Sequence, residues 1–208
     1  VSVSAVSRAF SLGLIIVLVP ISACAADIPR AAFQYRDDLI RAARFVWGLE
    51  APTATMAAQV HQESAWRERA QSSYAAGLAQ FTPATAEWIS GVYRGELADP
   101  DPFNPGWALR ALVRYDRHLW ERAGYAATDC DRWAFALAGY NGGAGWINRE
   151  RRVTAAMNLD AARWWEHVET QCVRADWACR ENREYPRRIL YRHQPLYVAA
   201  GWGPGVCT

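Results

Sequence analysis

The chain has no lysine; all 23 of its basic side chains are arginine. That removes the P-loop lysine, the Schiff base and the lysine general base from the chemistries open to it. Charge of one sign is not in excess either, since 21 acidic residues leave a net charge of +2 and no block of like charges. A nucleic-acid footprint is therefore missing, and nucleic acid is not an expected partner. The sequence contains no HExxH, no GxSxG and no CxxC, and its four histidines form no spaced cluster. Neither a metal nor another cofactor is expected. Sustained period-2 alternation bounded by turn residues is also lacking, which argues against a sheet.

What remains is 208 residues, 51% of them hydrophobic and 11 of them tryptophan. This is enough chain for one sizeable core and short for two. Arg8, the apolar stretch Leu12 to Val19 and the small residues Ser22 to Ala26 read as a secretory signal, so residues 1–26 are set apart from a single domain at 27–208. Eight apolar residues fall well short of the ~20 a spanning helix needs. Two cuts are open. Ala23, Cys24 and Ala25 form an AxA-like site, while Ile21 to Cys24 resembles a lipobox that would leave Cys24 lipidated as a membrane anchor. In either case the protein is expected to be exported, as a periplasmic protein or an outer-membrane lipoprotein. Cys130, Cys172, Cys179 and Cys207 then remain for two bridges in an oxidising compartment. Three pairings are open; Cys172 with Cys179 and Cys130 with Cys207 is preferred.

Apolar spacing predicts a mainly α protein. Helices are expected over Ala31 to Gly48, from Pro52 through Glu63, over Pro83 to Val92 and over Pro105 to about Arg122. A fifth, Trp133 to Tyr140, would be capped by Asp131 and run into the flexible Gly142, Gly143 and Gly145, and two more are expected near Ala161 to Glu169 and Glu181 to Leu190. In the second helix Met56, Val60 and Glu63 stand at i, i+4 and i+7, which continues the apolar stripe into a carboxylate. An acid held away from water has its charged form disfavoured and its pKa raised, as a general acid near neutral pH requires. The alternative is an ion pair with Arg67 or Arg69. Glu68 falls on another face, and His61 lies roughly across the helix as a surface or structural residue.

The residues that follow tip this balance. Glu63-Ser64-Ala65-Trp66, then Gly77-Leu78-Ala79-Gln80-Phe81-Thr82-Pro83-Ala84-Thr85-Ala86, resembles the signature of lytic transglycosylases. Ala138 to Gly143 is similar to that family's AYNAG block, and Glu181 to Pro186 to its ETxxYV block. Order and spacing agree over roughly residues 50–190. The resemblance implies a goose-type lysozyme-like domain with Glu63 as the catalytic acid and base. Ser72 and Ser73, Gly77, Gln80, Tyr140, Asn141 and Tyr185 are implied to bind substrate in the cleft. Gly77 allows a tight turn near a ligand, and Gln80 offers an amide suited to acetamido and hydroxyl groups. The chain departs from the family pattern where Ser72 stands five residues before Gly77 rather than six, where Ala79 replaces Met, and where Asn182 and Pro186 replace Thr and Val.

The reaction implied by the resemblance is cleavage of the β-1,4 bond between N-acetylmuramic acid and N-acetylglucosamine, closing a 1,6-anhydro ring without water. The implied partner is the peptidoglycan glycan strand, met by a monomer; secretion or conjugation machinery is a further partner to which this domain type is suited. A hydrolase of the same fold and a non-catalytic glycan-binding assembly protein are the alternatives.

Overall fold

A computed structural model describes residues 27–207. The expected signal over residues 1–26, with Cys24, falls outside the described residues. The described chain is helical throughout: α1 Ala32–Trp47, α2 Thr53–Ser64, α3 Pro83–Val92, α4 Arg94–Leu97, α5 Pro105–Arg122, α6 Asp129–Gly142, α7 Ala144–Ala156, α8 Asp176–Arg187 and α9 Gln194–Ala199. No strand occurs among the described residues, and the only extended pairing there is a pair of isolated bridges, Gln71 with Ala76 and Ala76 with Phe81.

Helix α2 lies at the centre. Every residue from Thr53 to Val60 is buried, so it is enclosed on all sides rather than along one stripe. Ala54, Ala57 and Ala58 let neighbours approach closely, while Met56 and Val60 fill the core. Each such side chain gains about 1.5–3 kcal/mol on burial. Helix α5 begins at Pro105, capped by Asn104 Oδ1 accepting from the Trp107 N–H at 3.1 Å, and packs Trp107, Leu109, Leu112 and Leu119 inward against α1 and α6. Helix α8 packs on α6. Pro186 removes one N–H from the ladder of α8, and the chain continues as a π-helix over Arg188–His193 into α9, both of which pack on α2. His61 stacks on His193 of that segment at 4.1 Å and meets the Tyr197 hydroxyl at 3.1 Å, which gives it a structural role.

The first four expected helices form within a residue or two of their predicted ends, the last begins five residues early at Asp176, inside the Cys172–Cys179 loop, and three other expectations change. Thr128 rather than Asp131 caps α6: its Oγ1 accepts from the Asp131 N–H at 3.0 Å, which starts the helix at Asp129. The glycines expected as a flexible stretch are taken up by two helices: Gly142 closes α6, Gly143, at φ +86°, makes the turn, and a further helix, α7, starts at once at Ala144 and includes Gly145. The helix expected near Ala161 to Glu169 is instead a set of turns ending in a 3₁₀ turn at Val168–Thr170. There side chains take amide hydrogens a helix would use: Asp131 accepts from Trp164 N–H and Glu169 from Glu166 N–H, each at 2.8 Å. Both preferred disulfides are present, Cys130–Cys207 and Cys172–Cys179.

Candidate active site

Glu63 occupies the last turn of α2 and is half-buried. The residues after it hold an unusual backbone, with Ala65 at φ +49° and Trp66 at φ +62°, both in the left-handed region. Packing enforces this: Trp66 is buried, and its indole N–H donates to the Tyr197 hydroxyl at 2.6 Å. Neither expected arginine reaches Glu63. Arg67 donates to the Ser64 carbonyl at 3.0 Å, and Arg69 stands 4.0 Å from Glu68, which in turn accepts from the Tyr35 hydroxyl at 2.6 Å.

The partner of Glu63 is Tyr185, whose hydroxyl donates to Oε1 across 122 residues of sequence. Burial pushes the Glu63 carboxyl up from 4.5 to about 8; the Tyr185 hydrogen bond opposes this and the charge of exposed Glu181 adds to it. An acid that titrates near 8 holds its proton at neutral pH, and the tyrosine O–H steadies the carboxylate once the proton has left.

Tyr140 lies beside this pair, its ring stacked on that of Tyr185 at 6.5 Å and its hydroxyl donating to the Ala79 carbonyl at 2.7 Å. That bond ties the glycine-turn block to the tyrosines. Gly77, at φ +78°, is required on two counts, because a Cβ there would run into the Pro102 carbonyl. Gln80, also left-handed at φ +47°, uses its amide nitrogen to hold the Ala70 and Gly77 carbonyls at 3.1 and 2.9 Å. Both amide hydrogens are thus engaged, and only Oε1 is left for a ligand. The exposed Ser72 closes its own turn, accepting from the Tyr74 and Ala75 N–H groups at 3.3 and 3.0 Å. With Ser73, Tyr74, Phe81 and Phe103 it lines a recess of about 520 Å³, and the Phe81 ring joins that recess to Tyr140 at 5.9 Å.

Asn141 is fixed by a network the sequence did not announce. Its Oδ1 accepts from Asn182 at 3.1 Å, and the same Asn182 nitrogen donates to the Ala138 carbonyl at 2.8 Å. Arg174 and Arg183 each donate to Asn182 Oδ1 at 2.8 Å and both engage Glu150, which is fully buried. Asn182 is one of the departures noted above, and it does what a shorter hydroxyl could not, satisfying both arginines while orienting Asn141. Gly142 is needed where this network passes, since a Cβ would collide with Arg174 and Asn182. Glu150 sits in the run Asn148-Arg-Glu-Arg-Arg, which reads as a solvated surface, so nothing in the sequence signals its burial.

Residues 39–161, more than half of the chain, match the model of the family described as transglycosylase SLT domain. The chain belongs to this lytic transglycosylase family. Its helical architecture is accordingly the family's lysozyme-like fold. Among curated relatives, it is 36% identical over 146 residues to the membrane-bound lytic murein transglycosylase F of Maricaulis maris, covering 69% of this chain and 30% of that protein. The protein of the same name from Vibrio cholerae is 32% identical over 123 residues, covering 59% of this chain and 21% of its own length. For that of Shewanella frigidimarina the values are 31% over 110 residues, 52% and 21%. The chain thus spans less than a third of the length of these relatives. The family match contains Glu63, Gln80, Tyr140 and Asn141 but ends before Tyr185, which enters the site through its bond to Glu63.

Proposed function

We propose that the protein is a peptidoglycan lytic transglycosylase that breaks the β-1,4 bond between N-acetylmuramic acid and N-acetylglucosamine and leaves 1,6-anhydromuramoyl ends. The observation that carries this reading is the half-buried Glu63 carboxyl bonded to the Tyr185 hydroxyl and paired with no cation among the described residues, a setting whose burial favours the acid form. Glu63 gives that proton to the glycosidic oxygen as the bond to muramoyl C1 breaks, so N-acetylglucosamine leaves with a free 4-hydroxyl. The positive charge on the muramoyl ring is met by its own 6-oxygen. As that oxygen bonds to C1, its proton returns to Glu63, which ends the cycle as it began. Tyr185 stabilises the intervening carboxylate. Asn141 would present its amide NH₂ to substrate, its oxygen being held by Asn182, and Gln80 would present its oxygen. Tyr140 would form the wall behind the reacting sugar, with Ser72 and Ser73 lining the cleft above the Gly77 turn.

An envelope location fits the two disulfides and the membrane-bound description of the relatives. Masses of the products from purified sacculi test the reaction. Muropeptides one water lighter than reducing-end products are expected. Reducing ends would make the protein a hydrolase, and intact sacculi a binding protein.

A further inference from the structure

Beneath Glu63 lies a second acid that this reaction does not use. Asp116, on α5, is 1% exposed, and Gln59, one helical turn before Glu63, is wholly buried. Gln59 Nε2 donates to Asp116 Oδ1 at 3.1 Å. The other two oxygens, Gln59 Oε1 and Asp116 Oδ2, are buried and meet no donor. The titratable groups that face Asp116 are Glu63 from α2, Tyr115 from α5, Tyr140 from α6 and Tyr185 from α8. Among the described residues no cation is paired with it.

An ionised Asp116 would place a charge away from water, next to a second carboxyl, with two acceptors left without a hydrogen; each of these is costly. An un-ionised Asp116 removes all three problems at once. Its hydroxyl supplies the one donor that is missing, and two flat groups already joined by one hydrogen bond can close a second. We propose that Asp116 is a positioning residue of the Glu63 site: it keeps its hydrogen at neutral pH and forms a reciprocal acid–amide clasp with Gln59 that ties α2 to α5 one turn before Glu63. Burial pushes the Asp116 carboxyl well above the usual carboxylate range, against the pull of the Gln59 bond and with the help of Glu63.

The clasp has a catalytic consequence, which rests on the acid and base role proposed for Glu63. Between giving up its proton and recovering it, Glu63 is a carboxylate. A neutral neighbour leaves that state undisturbed, whereas an ionised one would raise its energy.

The Asp116→Asn variant of the full chain tests this. An amide keeps both bonds of the clasp and cannot ionise. Unfolded Asp loses its proton near pH 4, so above that pH the native wild type must retain a proton that its unfolded chain has released. Relative to wild type, the folding constant of Asp116→Asn is therefore expected to rise about tenfold per pH unit from pH 4 toward 7 in denaturant titrations. Infrared spectra of wild type at pH 7 should show the C=O stretch of an un-ionised acid that is lost in the variant. On sacculi, the alkaline limb of the variant's pH profile should keep its midpoint. A stability difference that does not change with pH, a missing acid band, or a limb moved acidward by a unit or more would each overturn the clasp. If neither protein cleaves sacculi, the role of Glu63 fails while the stability and infrared results still judge Asp116.

Discussion

Replacing Glu63 by glutamine should abolish activity and make the protein more stable, and the second effect can be sized from the site. The side chain titrates at about 8 in the folded protein against 4.5 ordinarily. Below pH 4.5 both native and unfolded chains carry the proton, and the site costs nothing. As pH rises, the unfolded chain releases the proton while the native one holds it, so the penalty grows until about pH 8 and then levels off. At pH 7 the gap of about 2.5 units at ~1.36 kcal/mol each gives about 3 kcal/mol. Glutamine has no proton to lose, and its Oε1 still accepts from Tyr185. Glu63→Gln should accordingly melt about 6–12 °C higher than wild type at pH 7, with no gain at pH 4. Its cleavage of sacculi should fall by at least ~10²–10⁴-fold, the worth of positioned proton transfer. Calorimetry at the two pH values with a parallel sacculus assay covers both halves. A variant less stable than wild type at pH 7, or a gain that does not depend on pH, would refute the reasoning.

Tyr185→Phe removes a hydrogen bond that favours the ionised form of Glu63. Its alkaline limb should move upward and kcat drop about ten- to a hundredfold, as for a bond to a charged group; a downward shift in the pH profile would contradict the assignment. Gly77→Ala forces a Cβ into the Pro102 carbonyl at positive φ, so a loss of more than ~2 kcal/mol in denaturant unfolding is expected, whereas Gly145→Ala, in open space, should be near neutral. Cys207→Ser opens a bridge that spans 77 residues and should cost about 2–5 kcal/mol by chemical denaturation under oxidising conditions.

The sequence was informative where short-range chemistry sets the structure. Pro83 and Pro105 mark helix starts, and the spacing of Met56, Val60 and Glu63 places the acid on the inner side of α2. It was less informative where distant segments take over local hydrogen bonds. The stretch after Asp160 has helix-forming residues, yet side-chain acceptors, one of them from Asp131 on α6, capture its amides. The two buried polar groups beside the site were hidden for the same reason. Gln59 and Asp116 stand 57 residues apart, and each alone reads as an ordinary surface polar residue on a helix. Glu150 looks solvated among arginines until Arg174, inside the Cys172–Cys179 loop, and Arg183, beyond it, close over it. Tyr185 could be suspected from its motif, but its direct bond to Glu63 is visible only when α8 is packed against α6.

The protonation state of Glu63 itself is measured most directly by following the side-chain carboxyl ¹³C resonances of labelled protein from pH 3 to 10, with Glu63→Gln to assign the signal. One carboxyl titrating with a midpoint about 8 is expected, absent from the variant. A Glu63 signal that titrates near the ordinary glutamate value of 4.5 would contradict the account.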